Sequence, residues 1–245
     1  MFSPEIYKSR FDKIVDACSR SKNAIHPEEA KIRLEQAIAP GKGQYIFSLV
    51  EAMAVDNLVT FDLKRNDVFV PFAWSFKLGL RHKTTGVEKL YTFAPKNDGV
   101  NPSAYPVGFA NDQIDALFAG HIQWMLDTTA LYSRYPMEKF LKVPETQPCF
   151  VLDSNDAPVQ QSIELERSFD RDLELLMPKL ILAGTRDHKI TVNFDTAGQT
   201  SQNALAGTNA SDYEARLVLI MDGVLVKNGC ENGNDSVFGD AIGNW

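Results

Sequence analysis

Trp74, Phe76, Leu78 and Leu80 alternate with Ser75, Lys77, Gly79 and Arg81. A run with a period of two cannot put its apolar side chains on one face of a helix, so it predicts a half-buried strand. Ile190, Val192 and Phe194 alternate with Lys189, Thr191, Asn193 and Asp195 in the same way. Leu217–Met221, then Asp222-Gly223, then Val224–Val226 read as a hairpin, because Asp-Gly supplies the positive φ angles of a tight primed turn. Shorter strand candidates are Tyr45–Val50, Leu58–Leu63, Val68–Phe72, Val87–Phe93, His121–Leu126 and Lys179–Leu182. The chain therefore reads as mainly β.

Residues 1–44 read differently, as an N-terminal helical arm. Ser3, Pro4 and Glu5 make a helix start: a capping hydroxyl, a pre-set φ and an acid at the positive end of the dipole. Tyr7, Phe11, Ile14, Val15 and Cys18 then recur at helical steps. A second short helix is predicted from Pro27, with Glu28 and Glu29 in its first turn, Ile32 and Leu34 among its apolar residues, and Gly41 and Gly43 ending it. A short helix is also predicted at Gln113–Phe118. Ile163–Leu175 fits both periods and leans to a strand, because every even position from Glu164 to Glu174 is polar. The long connections Ala94–Asp112 and Thr196–Tyr213 read as functional or disordered loops, and Asn228–Trp245, rich in Gly and Asn, as an extended tail. Pro144, Pro148 and Pro158 mark the best internal boundary.

Composition narrows the class. The 245 residues are 44% apolar, enough for one large domain or two small ones. No window approaches the ~18 uninterrupted apolar residues of a membrane span, and the N-terminus lacks the apolar region and cleavage site of a signal peptide. Cys18, Cys149 and Cys230 are odd in number and far apart, which fits neither a disulfide framework nor a zinc site. A net charge of −7 argues against a protein that coats nucleic acid with its whole surface. The expectation is a soluble, globular protein of a reducing compartment.

No catalytic motif emerges. His26, His82, His121 and His188 show no metal-ligand spacing, and His82 and His188 are expected at solvated strand ends. There is no nucleophile elbow and no local signature of an activated thiol; Cys149 reads as a small buried hydrophobe. Gly41-Lys42-Gly43 lacks the rest of a phosphate loop, and Asp153–Asp156 reads as a turn rather than a calcium loop. Asp170 and Asp172 fall on a solvated strand face. Lys77, Arg81, His82 and Lys83 form the one basic cluster, but Trp74 and Phe76 beside it point to the core, so it is no stacking platform for nucleic acid. No cofactor, metal or catalytic residue is assigned.

Two passages carry a resemblance. NLVTFDLKRNDVFVPFAWSFKLGL (57–80) resembles the opening strands of phage virion proteins, where such a run begins a jelly roll. ALFAGHIQWMLDTTALYSRYPMEKFLKVPETQ (116–147) is similar to their pattern of a short helix, a Gly, a strand, an aromatic-Lys-Phe and a VP-x-TQ exit. The resemblance is to jelly-roll coat proteins of icosahedral bacteriophages, tailless lipid-containing phages among them, and covers under a quarter of the chain. It implies a self-assembling capsid protein without catalytic residues, whose homotrimers tile a shell and meet other virion proteins. Residues 45–148 and 159–245 are long enough for two compact barrels, a double jelly roll; a single decorated β-sandwich is the alternative. Phe11, Ile14 and Val15 would contact a membrane surface or a neighbouring subunit, and Trp245 would anchor in a neighbour's groove. Removing residues 1–40 is then expected to leave trimers and abolish shells. A decoration, neck, spike or sugar-binding receptor protein would use Tyr105, Tyr132 and Tyr135 at its interface. An enzyme on a β-scaffold is the remaining alternative, disfavoured by the missing signatures.

Overall fold

A computed structural model of the chain describes residues 8, 9, 11, 12, 27–49, 58, 59, 63, 64, 67–92, 108, 109, 117–141, 146–152, 158–164, 173–176, 180–184, 186–194, 205, 206 and 209–227. In chain order the described strands are β1 (Pro27–Ala37), β2 (Gln44–Ser48), β3 (Leu58–Val59), β4 (Val68–His82) and β5 (Glu88–Tyr91). They continue with β6 (Gly108–Phe109), β7 (His121–Leu126), β8 (Thr129–Pro136), β9 (Thr146–Leu152) and β10 (Pro158–Glu164). The last are β11 (Glu174–Leu175), β12 (Leu182–Ala183), β13 (His188–Asn193), β14 (Leu205–Ala206) and β15 (Tyr213–Val226). The protein is mainly β, with curled antiparallel sheets that form a half-barrel.

The larger sheet has seven strands in the order β11-β4-β15-β1-β3, and β5 and β12 also pair with β4. The smaller has four, in the order β2-β13-β7-β8. The two face each other across one core. Trp74 and Phe76 of β4 meet Trp124 of β7, Phe47 of β2 and Phe140 of a 3-10 turn (Met137–Phe140), all essentially buried. Side chains of this size each contribute roughly 1.5–3 kcal/mol by leaving water, so the alternating apolar face drives the packing.

The strands of 45–148 and 159–245 do not segregate into separate barrels. β4 pairs with β15 from Val68↔Val226 to His82↔Tyr213, and β7 pairs with β13 over its whole length. The described strands of both stretches share sheets and a core, the arrangement expected of the single decorated sandwich.

Two local expectations are corrected. The stretch from Pro27 is a strand, not a helix, inserted between β15 and β3 in the middle of the large sheet. Its side chains alternate, with Ile32 and Leu34 in the core and Lys31, Arg33 and Glu35 on the other face. The acidic first turn that suggests a helix there is outweighed by a ladder on both edges, which satisfies the backbone of a strand whose apolar period is two. Deleting residues 1–40 would therefore remove a core strand. Asp222-Gly223 likewise makes no hairpin turn. β15 runs straight through it, and the register shifts there: Ala73 lies opposite Asp222 and Pro71 opposite Gly223, so Phe72 is a bulge. A Cβ at Gly223 would stand 2.2 Å from the Val70 carbonyl oxygen, so only glycine fits. The bulge also accommodates Pro71, which has no N–H for the ladder.

The other strand expectations hold in part. β2, β5, β7 and β13 fall within or across their assigned stretches, whereas Val68–Phe72 and Trp74–Leu80 are one strand. Residues 8, 9, 11 and 12 are helical, as are Leu117 and Phe118; Ile14, Val15 and most of Gln113–Phe118 lie outside the described residues, as does the tail from Asn228. Of Ile163–Leu175, residues 163 and 164 end β10 and 174 and 175 form β11.

Candidate functional site

β8 is the outermost described strand of the small sheet, and the sequence-nominated Tyr132 and Tyr135 both lie on it. Residues three apart share a face of a strand only if the ladder is irregular. Here it is: Ile122 pairs with Tyr135 and Trp124 with Tyr132, with register shifts at Trp124. Both phenols therefore turn toward the core. Tyr132 stacks on Trp74 with ring centroids 6.1 Å apart and planes 17° from parallel; Tyr135 lies 5.3 Å from Trp74 and 5.9 Å from Phe140. Burial, aided by the neighbouring Tyr135, pushes the Tyr132 phenol up to about 12. Burial first, then the Glu174 carboxylate, raises that of Tyr135. These tyrosines are the half-buried rim of the aromatic core.

A shallow cleft of about 310 Å³ opens beside them, lined by Phe118, Gly120, His121, Arg134, Pro136 and Glu138 among others. Its floor depends on Gly120. The Gly120 amide donates to the Leu117 carbonyl, its own carbonyl accepts from Met137, and an added Cβ would stand 2.4 Å from the Asn193 oxygen. The cleft lining combines apolar Phe118 and Pro136 with one imidazole, one guanidinium and one carboxylate.

The basic cluster beside the large sheet serves the turn that follows β4. His82 Nδ1 accepts the backbone N–H groups of Thr84 and Thr85 at 3.2 and 3.1 Å, and Lys83 Nζ donates to the Ser211 carbonyl at 2.7 Å. Lys77 and Arg81 stand on the face opposite the fully buried Trp74 and Phe76, as the alternation predicts, whereas the unbroken register puts His82 on the aromatic side, at the strand's end.

His188 departs from expectation. It is 1% exposed, not solvated, and neither ring nitrogen has a hydrogen-bond partner. Burial lowers its imidazole to about 4; nearby Asp127 pulls upward and Arg186 adds to the depression. Asp127 itself is held low by the Asp187 amide and by Arg186, which it pairs with at 2.7 Å. His188 starts β13, and its carbonyl accepts the Leu49 N–H.

An ionic network was not anticipated from the sequence. Glu35, 5% exposed, accepts from Arg216 at 2.6 Å and also pairs with Arg33; Arg216 reaches Glu214 at 2.6 Å and Arg33 reaches Glu88. The network spans β1, β15 and β5 on the outer face of the large sheet, and Gly79 leaves room for Glu88, whose carboxyl oxygen would lie 3.2 Å from a Cβ there. Its signal was the alternation Lys31, Arg33, Glu35 against Ile32 and Leu34, which fits a strand better than a helix.

Of the remaining nominated residues, Phe11 is partly shielded on a helical stretch, whereas Ile14, Val15, Tyr105 and Trp245 lie outside the described residues. Asp153–Asp156, Asp170 and Asp172 do too, as does the side chain of Cys149. Among the described residues, no three His, Cys, Asp or Glu side chains come together as a metal site, and no helix is long and apolar enough to cross a membrane. No protein-family model, curated protein or solved structure matches this chain, and what it does is argued from its own residues.

Proposed function

We propose that the chain is a structural protein of a bacteriophage virion, the self-assembling major capsid protein whose homotrimers tile an icosahedral shell, and that its sandwich is a jelly roll. The observation that carries this reading is the frame. Two long strands, β4 and β15, pair over 14 residue positions and are tied by β1 on one side and by three short strands on the other. A shell subunit needs such stiffness, because tiling transmits strain through every copy, and it needs surface segments between the strands to meet its neighbours. The resemblance of 57–80 and 116–147 to phage coat proteins supports the same reading: the first passage contains β4 as far as Leu80 and the second contains β7, β8 and the 3-10 turn, the elements that meet at Trp74. The cleft beside β8 favours a second reading, a decoration, neck or receptor-binding protein that holds a partner side chain or a host sugar there.

Negative-stain microscopy of the purified chain, with and without added salt or lipid vesicles, separates the two. Shells, plates or six-sided capsomers are expected from a coat protein. Discrete particles that never form a lattice, yet bind host glycan, would replace the capsid reading with the receptor reading.

A further inference from the structure

The large sheet has a second buried face. Val68, Val70, Phe72, Ile220, Val224 and Val226 are between 0 and 8% exposed, yet none belongs to the core cluster between the sheets. The small sheet cannot be their cover, since it packs on the opposite face through Trp74, Phe76 and Leu219. The Phe72 bulge makes this possible, by turning both Phe72 and Ala73 to the same side.

We propose that this face is the docking surface of the chain's own N-terminal segment, residues 3–18, lying on it as a helix. The segment enters β1 at Pro27, directly opposite Val226, which itself pairs with Val68: the apolar end of that face. The ionic network of Arg33, Glu35 and Arg216 occupies the other end. Residues 8, 9, 11 and 12 are helical, and among them Phe11 is partly shielded while Lys8, Ser9 and Asp12 are exposed, the asymmetry of a helix docked along its Tyr7, Phe11, Ile14, Val15, Cys18 stripe. The lengths are comparable. A helix over residues 3–18 is about 24 Å long, and β15 from Ile220 to Val226, the apolar part of that face, spans about 20 Å. Residues 19–26 reach up to about 27 Å, enough to turn the chain back over the sheet. The inference does not rest on the virion reading.

Hydroxyl-radical footprinting, read by mass spectrometry at Phe72, Val224 and Val226, compares the full chain with a variant lacking residues 1–24, which leaves β1 intact. In the full chain these residues are expected to be as protected as Trp74 and Phe76. In the truncated chain their oxidation is expected to rise several-fold while Trp74 and Phe76 stay unchanged, and added peptide 1–24 to restore protection. Unchanged protection in a truncated chain that keeps its circular dichroism overturns the proposal and assigns the cover to another segment. Should the truncated chain not fold, Phe11→Asp in the full chain carries the test: oxidation at Phe72 rises, or the proposal fails. Protection that disappears on dilution also overturns it, because the cover is then a second copy.

Discussion

The two faces of the large sheet are built by different means. The inner face is continuous: Ile32, Leu34, Trp74, Phe76, Leu78, Leu217, Leu219 and Met221 interdigitate with the small sheet and carry few polar atoms. The outer face is divided. At one end Arg33, Glu35, Glu88, Glu214 and Arg216 pair with one another, and at the other valines, Phe72 and Ile220 are buried apart from the main core. The inner face gains its stability from area and shape, so it tolerates nothing smaller. The ionic end adds little net energy when complete, because pairing only offsets desolvation, yet it is costly to leave half made. The difference teaches that the sheet is fixed on one side by packing and on the other by register, since only one alignment of β1, β15 and β5 brings those charges together.

Breaking the inner face is expected to have the largest effect. Trp74→Ala removes a fully buried ring that contacts Phe76, Trp124, Tyr132, Tyr135 and Phe140, and should cost about 3–5 kcal/mol in urea unfolding. A cost under ~1 kcal/mol would mean that the two sheets do not meet at this ring. On the outer face, Glu35→Ala leaves Arg216, 9% exposed, paired with Glu214 but with its Nη1 edge unpaired, for about 1–3 kcal/mol. A combined Glu35→Leu and Arg216→Met replacement should recover most of that loss, which distinguishes an unpaired guanidinium edge from lost packing.

The bulge that joins the two faces comes next. Gly223→Ala forces a Cβ against the Val70 carbonyl and the Phe69 ring, and should destabilise by about 1–3 kcal/mol. If alanine there is neutral, the strands are not in this register.

Acid probes His188, at the start of β13. Its imidazole is held at about 4 when folded, against an ordinary value of 6.5. Between these values the unfolded chain binds the extra proton, so this contribution to stability is intact at pH 7 and is lost as pH falls from about 6.5 to 4, by about 2.5 kcal/mol at pH 4.5. His188→Leu should flatten the profile over that window; a profile as steep as the parent's would place the acid sensitivity elsewhere.

The smallest effect belongs to the rim. Tyr132→Phe should leave stability within ~0.5 kcal/mol, while deleting the tyrosine that titrates near 12 from the alkaline absorbance curve.

How much of this was legible in the sequence follows from the range of the interactions. Alternation over Trp74–Leu80 and Ile190–Phe194 identified inner-face residues correctly, because a period of two is local. β1 was misread because Pro27-Glu28-Glu29 also makes a good helix start; what decides is β15, some 190 residues away in the chain. Asp222-Gly223 has the composition of a hairpin turn, and only the partner strand shows that the glycine is needed for close approach. For Tyr132 and Tyr135 the composition shows two aromatic residues, and only the irregular pairing opposite Trp124, invisible locally, shows that both share the half-buried rim of the core. His188 looked solvated beside Arg186, and its burial comes from strands β2 and β7 on either side.

The measurement that tests the central claim most directly is the light-scattering mass of the purified 27.3 kDa chain as a function of concentration. A coat protein should show a trimer that grows into larger closed species as salt or lipid is added. A monomer at every concentration and condition would contradict the account and leave a sandwich that assembles only on another protein's shell.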